Sequence, residues 1–142
     1  MLMYGVNLSN VTVNNDKAEK FLAECLNNSD VKNIAKNYFD NKEYGHDVDS
    51  WARLYDNSEG SYGLAACIAD IIRGIEKIDI SSDDVNGMEF LGLPADVPWN
   101  YQEKTRMLTE TQYENILSKY ISYFVDEPLE IRWCHASDDA DY

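Results

Sequence analysis

Near-neutral acid–base chemistry in this chain could come from its two histidines, and a cysteine beside one of them could act as a nucleophile. His46 and His135 are the side chains whose ordinary pKa lies near neutral pH, and neither stands in a Ser, Cys or Asp pattern typical of a hydrolase. Cys134 precedes His135, but adjacent residues of a strand point to opposite faces, so the two are poorly placed to act as nucleophile and base. The sequence therefore predicts no catalytic residues.

A metal site is the second chemistry to test. His46, Asp47 and Asp49 could donate ligands from one loop, yet a fourth spaced ligand and the fixed glycine of a calcium loop are missing. The sequence also lacks a CxxC pair, an HExxH motif and a glycine-rich phosphate loop. We expect a solvated polar turn at 46–49, and no metal or other cofactor.

Net charge is the strongest signal in the sequence. Twenty-six Asp and Glu residues oppose twelve Lys and Arg residues, for a net charge of -14. Residues 37–103 hold fourteen acids and four bases, whereas residues 1–36 hold four of each. Such a field repels nucleic acid and anionic membranes and attracts basic protein surfaces. The expected partner is therefore a basic protein, with no direct binding to nucleic acid or membrane.

The elements that must position these residues fit one domain. Hydrophobic residues make up 44% of the 142, too many for a disordered acidic chain. We expect residues 1–136 to form a single acidic domain and 137–142 a frayed acidic tail. Three widely separated cysteines are typical of buried free thiols, and the sequence shows no signal-peptide pattern and no apolar run of about 20 residues. These features predict a cytoplasmic protein.

Apolar periodicity predicts strands and helices in one small sheet-and-helix fold. A period of two indicates strands at 2–8 and 129–134, and β-like segments at 78–80 and 88–91 flank an acidic connection, 81–87, in the expected middle of the sheet. Two prolines predict a loop at 94–100. The i, i+3, i+4 pattern predicts helices at 15–26, 30–39, 51–55, 62–75 and 110–124. The expected N-caps are Asn14 or Asn15 for the first helix and Ser29 for the second. A Thr109–Gln112 capping box is expected at the start of the last helix.

The predicted fold class is therefore α+β: a small, largely antiparallel sheet of three to four strands with four or five helices packed on it. Several aromatic residues fall in its irregular acidic segments, where they are either anchors of a protein-binding surface or half-buried lids. These residues are Tyr44, Tyr55, Tyr62, Trp99, Tyr101 and Tyr123.

One segment resembles a known family. Residues 34–48 read IAKNYFDNKEYGHDV, an aliphatic-Ala-basic helix end followed by aromatic-Asp and then Tyr-Gly-His-Asp-aliphatic. This resembles a stretch of ArdA-type antirestriction proteins, in which Arg usually stands at the position of His46, the spacing residues differ from Lys42 and Glu43, and the segment lies near the C-terminus. The resemblance implies an acidic DNA mimic, carried by a mobile element, that occupies the DNA channel of restriction enzymes.

A second set of short motifs resembles uncharacterised small proteins of Gram-positive mobile elements. These motifs are Pro98-Trp99-Asn100, Glu103-Lys104, Leu108-Thr109-Glu110 and Asp126-Glu127-Pro128. The likeness implies a bacterial host, without implying an activity.

Charge and resemblance together predict a non-enzymatic inhibitor of a bacterial DNA-targeting defence system, either antirestriction or anti-CRISPR, that acts by acidic DNA mimicry. Its partner would be the basic surface of a host nuclease or restriction-modification protein. The candidate partner-binding residues are Asp40, Glu43, Tyr44, Asp47, Asp49, Asp56, Glu59, Asp83, Asp84 and Asp96, with Asp79 and Glu89 as further candidates.

Two alternatives remain open from the sequence. The first is a generic acidic interaction or regulatory module of a mobile element, whose acidity serves only solubility. The second is a small enzyme that uses His46 or His135, which a concave pocket around either residue would support. A homodimer is compatible with all three hypotheses.

Overall fold

The computed structural model describes residues 2–57, 60–95 and 100–135. Within these ranges the chain forms four strands and six helices. In chain order they are β1 (Leu2–Asn7), α1 (Asn15–Cys25), α2 (Lys32–Lys42), α3 (Val48–Arg53), α4 (Leu64–Glu76), β2 (Ser81–Val85), β3 (Met88–Pro94), α5 (Glu103–Met107), α6 (Glu110–Ser122) and β4 (Arg132–His135). The predicted α+β class with a small antiparallel sheet is confirmed.

The sheet has the order β2-β3-β1-β4, and each neighbouring pair is antiparallel. Tyr4 of β1 lies opposite Leu93 of β3 on one side and Trp133 of β4 on the other. Residues directly opposite each other on paired strands point to the same face, so these three residues lie on the same side of the sheet. The three side chains line one groove at that end of the molecule.

The predicted hairpin is corrected in its position. The acidic segment expected to connect two strands is itself strand β2, and the connection is the two-residue turn Asn86-Gly87, with φ angles of 53° and 82°. Positive φ at both turn residues matches the turn type that suits the twist of a hairpin. β2 lies at the edge of the sheet, where Ser82 is buried and Asp84 is exposed. The strand shows no apolar alternation that would have identified it. The middle of the sheet is β3 and β1.

Helix α4 is central to the core, as predicted. Eight of its thirteen residues are buried, among them Leu64, Ile68 and Ile72. They pack with Val6 of β1 and Leu91 of β3 in the main apolar cluster. A smaller cluster of Met3, Phe90 and Cys134 lies on the opposite face of the sheet.

The helix boundaries agree with the sequence where a side chain caps the first turn. The Asn14 side chain caps α1, and Thr109 with Gln112 forms the predicted capping box of α6. The predicted cap Ser29 is wrong, since α2 begins at Lys32 without a side-chain cap. Helix α5, of five residues, was not predicted, because one turn is too short to show an apolar period.

Two remaining expectations concern the ends of strands. β4 begins at Arg132 rather than at residue 129, while Leu129 and Ile131 pack against the core outside the strand. β3 continues to Pro94, the first residue of the predicted loop. Some predicted residues lie outside the described residues. They are Glu59, Asp96, Trp99 and the expected tail at 137–142.

Candidate acidic interface and groove

The end of α2 and the beginning of α3 form an exposed corner that contains half of the predicted site. We call residues 40–49 the helix corner. Asp40 and Glu43 are exposed there, and the Tyr44 side chain is 75% exposed. Within the described chain, no hydrogen bond or ion pair reaches the carboxylate of Asp40 or Glu43. Because the two residues are three apart, their Cβ atoms lie about 5–6 Å from each other, close enough to engage one basic segment of a partner.

The other two acids of the helix corner hold local structure. Asp47 is the N-cap of α3, and its Oδ1 accepts a hydrogen bond of 2.8 Å from the Ser50 amide. The hydrogen bond from the Ser50 backbone holds the pKa of Asp47 below its usual value. Asp49 pairs with Arg53 one turn later, at 3.2 Å. These carboxylates are therefore already partly satisfied within the protein.

Glu89, a further candidate from the sequence, belongs to the interior. One carboxylate oxygen pairs with Arg53 at 2.9 Å, and the other accepts from the Ala65 amide, in the first turn of α4, at 3.1 Å. The Arg53 guanidinium also donates to the Val11 carbonyl at 2.8 Å, which ties α3 to the segment after β1. The sequence misassigned Glu89, because no local pattern shows that a strand residue will meet a helix N-terminus.

Asp79 is a second structural acid. Its Oδ2 accepts from the Thr105 hydroxyl at 2.7 Å and from the Gln102 amide at 2.6 Å. These bonds connect the segment before β2 to α5. Because its carboxylate is already hydrogen-bonded within the protein, we do not count Asp79 among the acids that would face a partner.

A groove with a volume of about 560 Å³ lies beside the helix corner, between α2, α3 and the segment that follows α3. Asparagine residues at i, i+4 and i+8 of α2 form one wall, which places them in a row. The indole N–H of Trp51 donates to the Asn37 side-chain oxygen at 2.7 Å and closes the floor. The lining residues are Asn33, Ile34, Asn37, Asn41, His46, Trp51, Leu54, Tyr55 and Asp56.

Asp56 connects the groove to the acidic edge strand. It lines the groove and forms an isolated β-bridge with Tyr62. The neighbouring Ser61 hydroxyl lies 2.8 Å from the Ser82 hydroxyl and 3.5 Å from an oxygen of Asp84. A continuous set of contacts therefore runs from the groove to β2. We call Asp40, Glu43, Asp56 and Asp84, all exposed, the acidic edge.

The remaining predicted residues are divided between surface and interior. Asp83 is half-buried on β2. Tyr44 and Tyr62 are exposed, as surface anchors would be, and Tyr101 is half-buried. Tyr55 donates to Asp70 at 2.7 Å, and Tyr123 stacks on Phe21 at a centroid distance of 4.1 Å, so these two hold the fold.

The chemistry-bearing residues are not brought together as a catalytic group would require. Cys134 is fully buried beside Met3 and Phe90, whereas His135 is exposed, which confirms that they face opposite sides of β4. All three cysteines are free and buried, as predicted, and burial raises the pKa of Cys25 to about 11. Across 2–57, 60–95 and 100–135, no three His, Cys, Asp or Glu side chains converge as metal ligands.

None of the six helices has the length and apolarity that crossing a bilayer requires, among the residues that the structure describes. No family model, curated protein or solved structure matches the chain. Sequence reasoning missed the groove beside the helix corner. The local sequence signal for this groove is the four-residue spacing of the asparagines in α2. That spacing indicates a groove only when the position of α3 against α2 is known.

Proposed function

We propose that this protein is a non-enzymatic inhibitor of a bacterial DNA-targeting defence system, a restriction enzyme or a CRISPR effector nuclease, acting in the bacterial cytoplasm. It would occupy the basic channel that normally holds DNA. The observation that supports this most directly is the acidic edge, which belongs to a stretch of fourteen acids and four bases. A surface of that kind complements Lys and Arg side chains that are arranged to hold phosphates.

The proposal distinguishes free carboxylates from those that are already neutralised. Six of the twelve bases form ion pairs with acids in the described chain; they are Lys17, Lys42, Arg53, Arg73, Lys77 and Lys104. Their partners contribute little to the field felt by another protein. Asp40, Glu43 and Asp56 form no ion pair with another described residue and carry most of the expected attraction.

The resemblance of residues 34–48 to ArdA-type proteins adds support, because this segment forms most of α2 and nearly all of the helix corner. Exposed Tyr44 and Leu54, 75% and 73% exposed, lie in or next to the same region. Large exposed side chains surrounded by charge are suited to anchoring a protein interface. The interface would therefore combine electrostatic attraction with a small apolar contact.

Cleavage assays test the proposal. A panel of restriction enzymes and CRISPR effector nucleases is assayed on its own DNA substrates, with and without the protein. We expect inhibition of at least one nuclease, relieved by a higher concentration of its substrate DNA, and no direct binding of the protein to DNA. Inhibition of none of the panel, or inhibition accompanied by DNA binding, would contradict the proposal.

A small-ligand or enzymatic function is the second candidate, and the observation that favours it is the groove, which contains His46 and Asp56. Screening small metabolites by thermal shift, with His46→Gln as the comparison, tests this alternative. A ligand whose stabilisation is lost in that variant would favour the groove as a ligand site over the inhibitor hypothesis.

A further inference from the structure

A second groove, with a volume of about 210 Å³, lies at the end of the sheet where β1, β3 and β4 meet α5 and α6. Four of its ten described lining residues are aromatic. The lining residues are Tyr4, Leu93, Pro94, Tyr101, Thr105, Leu108, Thr109, Glu110, Tyr113 and Trp133. None of them belongs to the acidic edge.

The sheet register fixes the aromatic wall of this groove. Tyr4 lies opposite Trp133 across the β1–β4 pair, with ring centroids 5.2 Å apart and planes inclined by 48°. On its other side, the Tyr4 ring lies 5.9 Å from that of Tyr113, inclined by 39°. Trp133 is 58% exposed, an unusual position for the largest apolar side chain. Both pairs are tilted contacts at packing distance, and Tyr113 is buried, so the ring surface open to a ligand belongs to Tyr4 and Trp133.

The tyrosine hydroxyls in this groove are engaged within the protein. Tyr113 donates to the Tyr4 carbonyl, and Tyr101 donates to the Pro94 carbonyl. The Tyr4 hydroxyl lies 3.0 Å from a carboxylate oxygen of Glu110 and, equally, of Glu114. Burial and these two carboxylates raise the pKa of Tyr4 to about 12, so it stays a neutral donor at physiological pH.

The groove consequently offers a ligand ring faces and negative charge. Among the described residues that line it, Glu110 carries the only formal charge. The negative face of an aromatic ring attracts cations, and this attraction increases when the cation is partly removed from water. The Glu110 carboxylate would repel an anionic ligand. A neutral apolar ligand would make no favourable interaction with that carboxylate.

We propose that this groove binds an organic cation, a quaternary ammonium or guanidinium group, against the accessible rings of Tyr4 and Trp133, with Glu110 as its counter-charge. The inference does not rest on the proposed inhibitor function. The same chemistry could come from a free small cation or from a side chain of a protein. Choline represents the first source and N-acetylarginine methylamide the second.

An NMR titration of the full chain tests the proposal. The indole N–H signal of Trp133, assigned by its loss in Trp133→Phe, is followed during addition of each cation and of 3,3-dimethylbutan-1-ol, the neutral isostere of choline. We expect a saturable shift with at least one cation and binding of the alcohol weaker by about tenfold or more. Tighter binding of choline would identify a free cation as the source, and tighter binding of the arginine amide a protein side chain.

A pair of variants distinguishes the effect of the Glu110 charge in the groove from the effect of the protein's overall negative charge. Glu110→Gln removes the charge at the groove, and Glu103→Gln removes one from the first turn of α5, the equivalent position of a different helix. We expect Glu110→Gln to weaken cation binding by about threefold or more and Glu103→Gln to leave it unchanged. The proposal is overturned if neither cation shifts the Trp133 signal, if the alcohol binds as well as choline, or if the two variants behave alike.

Discussion

The carboxylates of this protein divide into those that stabilise the fold and those that face solvent. Glu89 accepts from the Ala65 amide and from Arg53, whereas Asp40 and Glu43 make no such bonds within the described chain. Net charge alone does not reveal this division, since a paired and an unpaired carboxylate count equally in the sequence. Each class predicts a different response to substitution.

The Arg53 side chain should be among the most costly charged residues to remove. Arg53→Met breaks the pairs with Asp49 and Glu89 and the bond to the Val11 carbonyl, and leaves Glu89 without its counter-charge. We expect a loss of about 2 to 3 kcal/mol in the free energy of unfolding, measured with urea. The control Arg106→Met, at an exposed position of α5, should change it by less than about 0.5 kcal/mol. Equal losses in the two variants would disprove the role of Arg53.

Acid should remove the stabilising effect of the Asp47 charge. The pKa of Asp47 is lowered in the folded protein by the Ser50 amide, so its charged form favours folding above the unfolded pKa of about 3.9. That contribution is lost as the pH falls through the lowered, folded pKa. Asp47→Asn keeps a good cap without the charge, so parent and variant should differ at pH 7 and converge at about pH 2. A difference in unfolding free energy that is unchanged by pH would contradict this account.

At the scale of elements, strong periodicity made helices predictable and weak periodicity hid an edge strand. Helices α1, α4 and α6 each bury an apolar face, and that face is visible in the sequence. β2 reads Ser-Ser-Asp-Asp-Val and owes its strand to pairing with β3. The two grooves could not be predicted, because each depends on distances between elements that are far apart in the chain.

The junction before α4 depends on a glycine. Gly63 has a φ of 96°, and a Cβ atom there would lie 2.1 Å from a carboxylate oxygen of Glu89. Gly63→Ala should therefore disrupt both the backbone and the Glu89 bonds, and lower the free energy of unfolding by about 3 kcal/mol.

Gly60→Ala is the matched control for Gly63→Ala. Its φ is also positive, at 83°, but apart from its chain neighbours no atom of the described residues lies within 4 Å of the added Cβ. It should cost only about 1 kcal/mol, the expense of the backbone conformation alone. Similar costs for the two variants, measured by urea unfolding, would show that the contact with Glu89 is unimportant.

At the scale of the whole molecule, charge and shape together define the proposed interface. In the proposed complex, the net charge of -14 would provide long-range attraction to a basic partner, and the acidic edge beside the groove would determine where that partner docks. Attraction between exposed charges is screened beyond about 8 Å at physiological ionic strength. Binding should therefore weaken markedly as salt increases, mainly through slower association.

The most direct test compares two triple variants in binding to an inhibited nuclease, in competition with its duplex DNA. The first, Asp40→Asn, Glu43→Gln and Asp56→Asn, removes three carboxylates of the acidic edge. The second, Glu24→Gln, Glu103→Gln and Glu130→Gln, removes three exposed carboxylates from elsewhere on the surface and has the same net charge as the first variant.

We expect the first variant to fold and to lose about 2 kcal/mol of binding free energy, roughly thirtyfold in affinity, because its partner's basic residues lose their counter-charges. The second variant should remain within about threefold of the parent. If both variants weaken binding equally, the acidic edge is not the interface, and if neither weakens it, DNA mimicry at this surface is contradicted.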